Sequence, residues 1–326
     1  MTPRHRGGVD HAALAILAED QARLVTRAQL RRLGFARPHV ERRVKDGRWQ
    51  RVGDRVVALQ SGDLTPTQKG WAAVLSCDGP AALVADTALE AYGIKLLTRD
   101  DDLVHVVVPR GHRHSDIPWV RTHESRRFTV VDIHPARRPA QVRVERAAVD
   151  TASWTRADRR ACGVLLSVIQ QRLTTPGRLA GELRKAGQLK RIGLLRRILV
   201  DAAGGAQALT EVDFGALCRR HGLPAPIRQV VRRDKQGRRR WLDATFRRSD
   251  GQLVVVEIDG AVHLLPSSYW DDMSRGNELV ISGDRVLRFP SVALYLDEAK
   301  VADQLRRALG LPDLSGSDRR QTSIPA

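Results

Sequence analysis

The chain has 326 residues, enough for two or three domains, and is 42% hydrophobic and 28% charged, which excludes global disorder. Its 55 lysines and arginines against 37 acids leave a formal net charge of +18, pointing to a polyanionic partner, because phosphate neutralisation dominates nucleic-acid affinity. Cys77, Cys162 and Cys218 form no CxxC pair, which argues against a disulfide framework or structural zinc site and fits a reducing cytoplasm.

Residues Met1 to Gly8 are followed by no apolar core, so no signal peptide is expected. No run approaches the roughly 20 apolar residues of a membrane span, so the protein is expected to be soluble and cytoplasmic. Residues 10 to 60 read as three short helices and a hairpin. Ala12, Leu14, Ile16 and Leu17 form the first apolar stripe. Thr26 is a good N-cap for a second helix, Arg27 to Leu33, stopped by Gly34. A third helix is predicted over Arg37 to Asp46, with Val40 and Val44 inward and Arg37, His39, Arg42, Arg43 and Lys45 outward. Residues 49–52 and 55–59 then flank Gly53-Asp54, read as a two-residue hairpin turn. Helix, helix, basic helix, hairpin is the layout of a winged helix-turn-helix, whose third helix is placed for a DNA groove. The plainer alternative is a small docking domain with solvated arginines.

The segment Leu24-Val25-Thr26-Arg27-Ala28-Gln29-Leu30, with Val40-Glu41-Arg42-Arg43-Val44-Lys45-Asp46-Gly47-Arg48-Trp49, resembles the N-terminal domain of the AbiEi family, antitoxins of abortive-infection toxin–antitoxin systems. The resemblance implies double-stranded DNA as partner, often with autorepression of an operon, and a cognate toxin; it implies no catalytic role.

Residues 61–205 form an α+β middle region that looks like a looser continuation of such regulators. Helices are predicted from Thr65 to Ser76 and from Ala81 to Ala91. Leu103 to Val108 is a clear strand; Trp119 to Thr122, Thr129 to Ile133 and Gln141 to Val144 are weaker ones. Helices follow over 145–153, 159–172, 176–186 and 193–203. His105, His112, His114, His123 and His134 suggest metal ligands, but His112 and His114 sit in a Gly/Arg/Ser-rich loop without an acidic partner at ligand spacing, so no metal site is expected there. The small-residue run Ala202 to Ala206 marks a domain boundary.

The C-terminal region, 206–312, reads as an α/β domain before a disordered tail, 313–326. Thr210 caps a helix from Glu211 to His221. A hairpin around Asp234 to Gly237 joins residues 229–233 and 240–246. Its arginines Arg232, Arg233, Arg238, Arg239 and Arg240, backed by Trp241, suit a phosphate-gripping ribbon, or equally a charged edge kept from aggregating. The central strand, Leu253 to Ile258, is followed by Tyr269 to Ser282 as a helix, a strand over 284–290 and an amphipathic closing helix, Leu296 to Leu309, with Val301, Leu305 and Ala308 inward. The intervening helix makes a parallel crossover available. A buried strand should stay apolar to its end, yet this one ends in Glu257 and Asp259, with Asp243 and His263 nearby. Carboxylates in such a set hold Mg2+ or Mn2+, which lowers the pKa of a bound water; a histidine can take its proton. Taken singly, Asp243 could cap a turn, Glu257 and Asp259 could pair with local arginines such as Arg240 or Arg275, and His263 could be a structural histidine.

Leu242-Asp243, Val256-Glu257-Ile258-Asp259-Gly260 with His263, Asp272 to Arg275, and Gly283-Asp284-Arg285-Val286-Leu287-Arg288-Phe289 resemble a bacterial family related to the very-short-patch repair endonucleases, within the PD-(D/E)xK superfamily. The resemblance, over about residues 207 to 310, implies a restriction-endonuclease-like αβββαβ core. It also implies metal ligation by Asp243, Glu257 and the helix acid Glu211, with His263 as base; on physical grounds Arg275, on the helix after the site, is placed to balance phosphate charge. Asp259 stands where the superfamily commonly has lysine; the very-short-patch repair relatives also lack that lysine and use a nearby histidine, which points to His263 as base. Alternatively, Asp259 binds a second metal or this copy is inactive as a nuclease. The expected fold is thus multidomain α/β and α+β, with a homodimer as a further expectation. The expected function is a DNA-binding protein with a Mg-dependent nuclease-type domain, or a non-enzymatic regulator with a degenerate one.

Overall fold

The computed structural model describes residues 9–94, 99–112, 115–205, 214–227, 230–233, 239–242, 244–259 and 286–312. It is a mixed α and β structure with small sheets, dividing into two compact units, Met1–Thr151 and Ala152–Ala326. No helix among the described residues is long and apolar enough to cross a membrane. Cys77, Cys162 and Cys218 are free and buried, and burial pushes the Cys162 and Cys218 thiols up to about 12 and about 11.

The first unit opens with α1 (His11–Asp20), whose N-cap Asp10 accepts from the amide of Ala13 at 2.8 Å. Strand β1 (Leu24–Thr26) leads directly into α2 (Arg27–Arg32). Thr26 caps α2 as expected, and reciprocally: its hydroxyl accepts from Gln29 N at 3.1 Å while the Gln29 amide oxygen accepts from Thr26 N at 2.7 Å. Then come α3 (Arg37–Lys45), β2 (Gln50–Val52) and β3 (Val56–Ala58). The three strands form one antiparallel sheet in the order β1-β3-β2. The β1 strand is an addition to the helix-and-hairpin layout read from the sequence.

Both faces of this sheet are covered. Val25 and Val57 face the helices, packing with Leu14, Leu30, Phe35, Val40 and Trp49. Leu24, Val56 and Ala58 turn the other way, onto Trp71, Ala72 and Ile117. The continuous run Val56-Val57-Ala58 is therefore fully buried rather than alternating. Trp71 and Ala72 lie on α4 (Pro66–Ser76), which starts with a second capping box, Thr65 with Gln68.

Beyond α4 lie β4 (Ala82–Leu83), α5 (Ala85–Ala91), β5 (Val104–Pro109) and β6 (Val120–Ser125), with β5 antiparallel to β4 and parallel to β6. Two expected strands do not form. Residues Val130–Asp132 make a 3-10 turn, because the Asp132 carboxylate accepts from the Thr129 amide at 2.8 Å and offers the backbone a local partner instead of a ladder. Gln141 and Val142 make only isolated bridges, since α6 (Val144–Trp154) starts two residues later.

His105 Nδ1 lies 2.9 Å from His123 Nε2, and His105 Nε2 lies 2.8 Å from Asp101. Burial, then the neighbouring His105, drives His123 from the usual 6.5 down to about 4.

The second unit begins with three helices, α7 (Asp158–Gln170), α8 (Pro176–Ala186) and α9 (Ile192–Val200). α9 runs into a π-helical turn, Asp201–Gly205, where Ala202 is buried with Cys162, Leu166 and Ile198. After a helical stretch over 214–220 come β7 (Val230–Arg233) and β8 (Arg239–Leu242), paired antiparallel with each other. The segment read as one strand over 240–246 is seen as β8 and β9 (Ala244–Arg247) on either side of residue 243, which lies outside the described residues. Thr245 bridges Ile227 in the register of the β7–β8 ladder, and β9 also pairs antiparallel with β10 (Leu253–Asp259). β11 (Val286–Pro290) pairs parallel to β10, as a crossover requires. Short helix Ala293–Leu296 and closing helix Glu298–Ala308 complete the unit, with Val301 and Leu305 buried against Phe214, Phe246, Val256, Leu287 and Phe289. The expected helix Tyr269 to Ser282 lies outside the described residues.

Two outcomes are expected. Phe289→Ala removes a fully buried ring from the second unit's core and should lower its stability by about 3–5 kcal/mol in a denaturant melt. For His123, the unfolded chain binds a proton near 6.5 that the folded chain refuses until about 4, so stability falls as pH drops through that window. A melt series should show a shallower acid decline for His123→Gln than for the parent; identical slopes would contradict this origin.

Candidate nucleic-acid interface

α3 owes its orientation to two valines four residues apart. Val40 is 5% exposed in the core, and Val44 is partly buried against it. That fixes the opposite face, so Arg37, His39, Arg42 and Lys45 are exposed, as the sequence predicted. Arg43 lies on the flank, its guanidinium 5.4 Å from the centre of the Trp49 ring, so it is held by stacking as well as charge.

The acid on α3 is Glu41, and it is engaged by arginines from three elements. Its Oε1 accepts from Arg27 Nη1 of α2 at 3.5 Å and lies 3.9 Å from Arg37 Nε. Its Oε2 accepts from Arg51 of β2. The Arg51 hydrogen bond, aided by the charges of Arg51, Arg27 and Arg37, holds the carboxyl below the usual carboxylate range. Arg27, Glu41 and Arg51 were not singled out from the sequence; the i,i+4 spacing of Arg37 and Glu41 was the one local signal available.

The tip of the β2–β3 hairpin is fastened down. The last ladder pair is Val52↔Val56, so Gly53, Asp54 and Arg55 form a three-residue connection, one longer than expected. Asp54 N donates to Asp116 Oδ2 at 2.6 Å, and Arg55 pairs with Asp78 at 2.7 Å. Gly53 has a φ of +68°, which strains any other residue, and a Cβ there would come within 2.8 Å of the Asp116 carboxylate and 2.9 Å of Ile117, so both would have to shift. Beside α2 and the hairpin tip, a cleft of about 560 Å³ is lined by Arg27, Arg31, Asp54 and Arg55 together with uncharged residues such as Val74 and Leu75.

In the second unit, the ladder sets Arg232 opposite Arg240 and Arg233 opposite Arg239. Arg238 and Arg275 lie outside the described residues.

Of the acids and histidine expected to hold a metal, β10 carries Glu257 and, as its last residue, Asp259. Val254, Val256 and Ile258 pack on the core, so Glu257 lies on the other face, with its side chain 34% exposed. Its carboxylate pairs at 2.9 Å with Arg288, its register partner on β11. The sequence had offered Arg240 or Arg275 for that role. Asp243, His263 and Glu211 lie outside the described residues, as does His114. Among the described residues no three His, Cys, Asp or Glu side chains are grouped to hold a metal ion.

No curated protein matches the chain. Residues 13–55, from within α1 to the last residue before β3, match the family model described as "Transcriptional regulator, AbiEi antitoxin".

Proposed function

We propose that the protein is a DNA-binding transcriptional regulator that places α3 of an N-terminal winged helix in the major groove of double-stranded DNA. The observation that carries this reading is the outward face of α3, Arg37, His39, Arg42 and Lys45, on the stretch matched by the regulator family. Exposed cations on a groove-sized helix neutralise phosphates and reach base edges. The Arg232–Arg240 ribbon supplies a second phosphate contact, and the family match supports a cognate toxin as protein partner, with action in the cytoplasm. Functionally we divide the chain into 1–60, 61–205 and 206–312.

A second reading concerns residues 206–312. β10 lies between antiparallel β9 and parallel β11 and ends in Glu257 and Asp259. Positions two apart on a strand share a face. Asp243 precedes Ala244, which pairs with the residue before Glu257. That placement supports a nuclease-type fold in which Glu211, Asp243, Glu257 and Asp259 hold Mg2+ or Mn2+, Arg275 faces phosphate and His263 accepts a proton. The metal would supply an activated water; the chain's residues would fix its position and take the proton.

Titration of a labelled duplex separates the two. Arg42→Ala and Lys45→Ala should each weaken binding and reduce the slope of log affinity against log salt by about 1. Unchanged binding by both variants would remove α3 from the interface. On supercoiled plasmid with Mg2+ or Mn2+, nicking that disappears in Glu257→Ala supports the nuclease reading. Tight duplex binding without nicking leaves the regulator alone.

A further inference from the structure

Glu41 lies on the helix that the proposed function puts against DNA, where an unpaired acid would repel phosphate. It instead gathers guanidiniums from α2, α3 and the hairpin. We propose that Glu41 is a positioning residue for DNA recognition: it holds Arg27, Arg37 and Arg51 as one pre-set array, and the array rather than Glu41 meets the DNA. This rests on the DNA-binding reading above.

Three observations carry it. First, the fold sets arginines from α2, α3 and β2 around one carboxylate, which accepts hydrogen bonds from Arg27 and Arg51 and lies 3.9 Å from Arg37 Nε. Second, the tethered groups still face outward: the Arg37 side chain is 85% exposed and that of Arg51 52%. A guanidinium has five N–H donors, so one or two spent on Glu41 leave others for a phosphate or for guanine O6 and N7. Third, the hairpin tip is tied to Asp116 and Arg55 to Asp78, so Arg51 at the hairpin root is the cation that this hairpin offers beside α3.

The physical gain is entropic and geometric. A free arginine must be ordered when DNA binds, and that ordering subtracts from affinity. An arginine already held by a carboxylate has lost part of this freedom beforehand, and the fork keeps a fixed direction. The array of three cations and one anion also stays net positive, so it attracts the backbone while keeping its shape.

The test uses the full chain. Wild-type protein selects binding sites from a random duplex pool. Fluorescence anisotropy then gives the affinities of wild type and Glu41→Gln for a selected duplex and for a scrambled duplex of equal length. The expected result is tighter binding of the scrambled duplex, because one negative charge is gone, with the ratio of selected to scrambled affinity falling at least about fivefold. Arg51→Lys keeps the charge but loses the fork, and should lower the same ratio with scrambled affinity little changed. If both variants change the two affinities in proportion, the ratio stays and the positioning role is overturned, whether or not the variants melt earlier. If wild type enriches no duplex at all, the DNA reading falls and takes this proposal with it; enrichment with an unchanged ratio sinks the proposal alone.

Discussion

The first unit depends on one constraint: a sheet of only three short strands whose central strand is buried on both faces. Val57 is needed by the helical side and Val56 and Ala58 by the α4 side, so β3 cannot slip by one residue without exchanging its two cores. That register holds β2 against β3 and β1 against the start of α2. The positions of Arg51 and Arg27 beside Glu41 follow from it. The geometry of this charged surface is thus set by packing beneath it, and α4 belongs to the same structural problem as the helices before it.

Charge is distributed in two ways over this frame. Some cations are matched with acids: Arg55 with Asp78, Arg121 with Asp101, and Arg146, almost fully buried, with Asp150 at 2.5 Å. Breaking a buried pair of that last kind leaves an uncompensated charge and is costly, so Arg146 and Asp150 belong to the fold. The exposed residues of α3 carry no comparable debt to the core. Exposed pairs contribute little to stability, about 0–1 kcal/mol, so arranging Arg27, Arg37 and Arg51 around Glu41 is better understood as shaping a surface than as holding the helix in place.

What could be read from the sequence was what is locally encoded. Thr26 with Gln29 is a complete capping signal within four residues, and Val40 with Val44 gives the inward face of α3. The inward set Val301, Leu305 and Ala308 of the closing helix was legible for the same reason. Interactions that need tertiary register were not. Thr129 to Ile133 has the composition of a strand, but a single carboxylate reaching back three residues turns it into a 3-10 turn. Nor does the segment 240–246 itself reveal which neighbours it meets, β7 through β8 and β10 through β9. The partnership of Glu41 with Arg51 was not legible either, because Arg51 lies across a turn and on another element.

The same distinction governs Glu257. Its place at the end of an apolar strand was evident from the sequence, whereas its partner Arg288 is set by the parallel register of β10 and β11. This pair does not seal the carboxylate. The Arg288 side chain is 63% exposed and that of Glu257 34%, so the ion pair forms in water-accessible surroundings and can exchange at little cost. A divalent cation, by contrast, binds a carboxylate oxygen directly and gains with each further acid that converges on it. Whether Glu257 serves a metal is therefore decided by what stands beside it rather than by Arg288, and that places the weight of the nuclease reading on Asp243, Asp259 and His263 acting together.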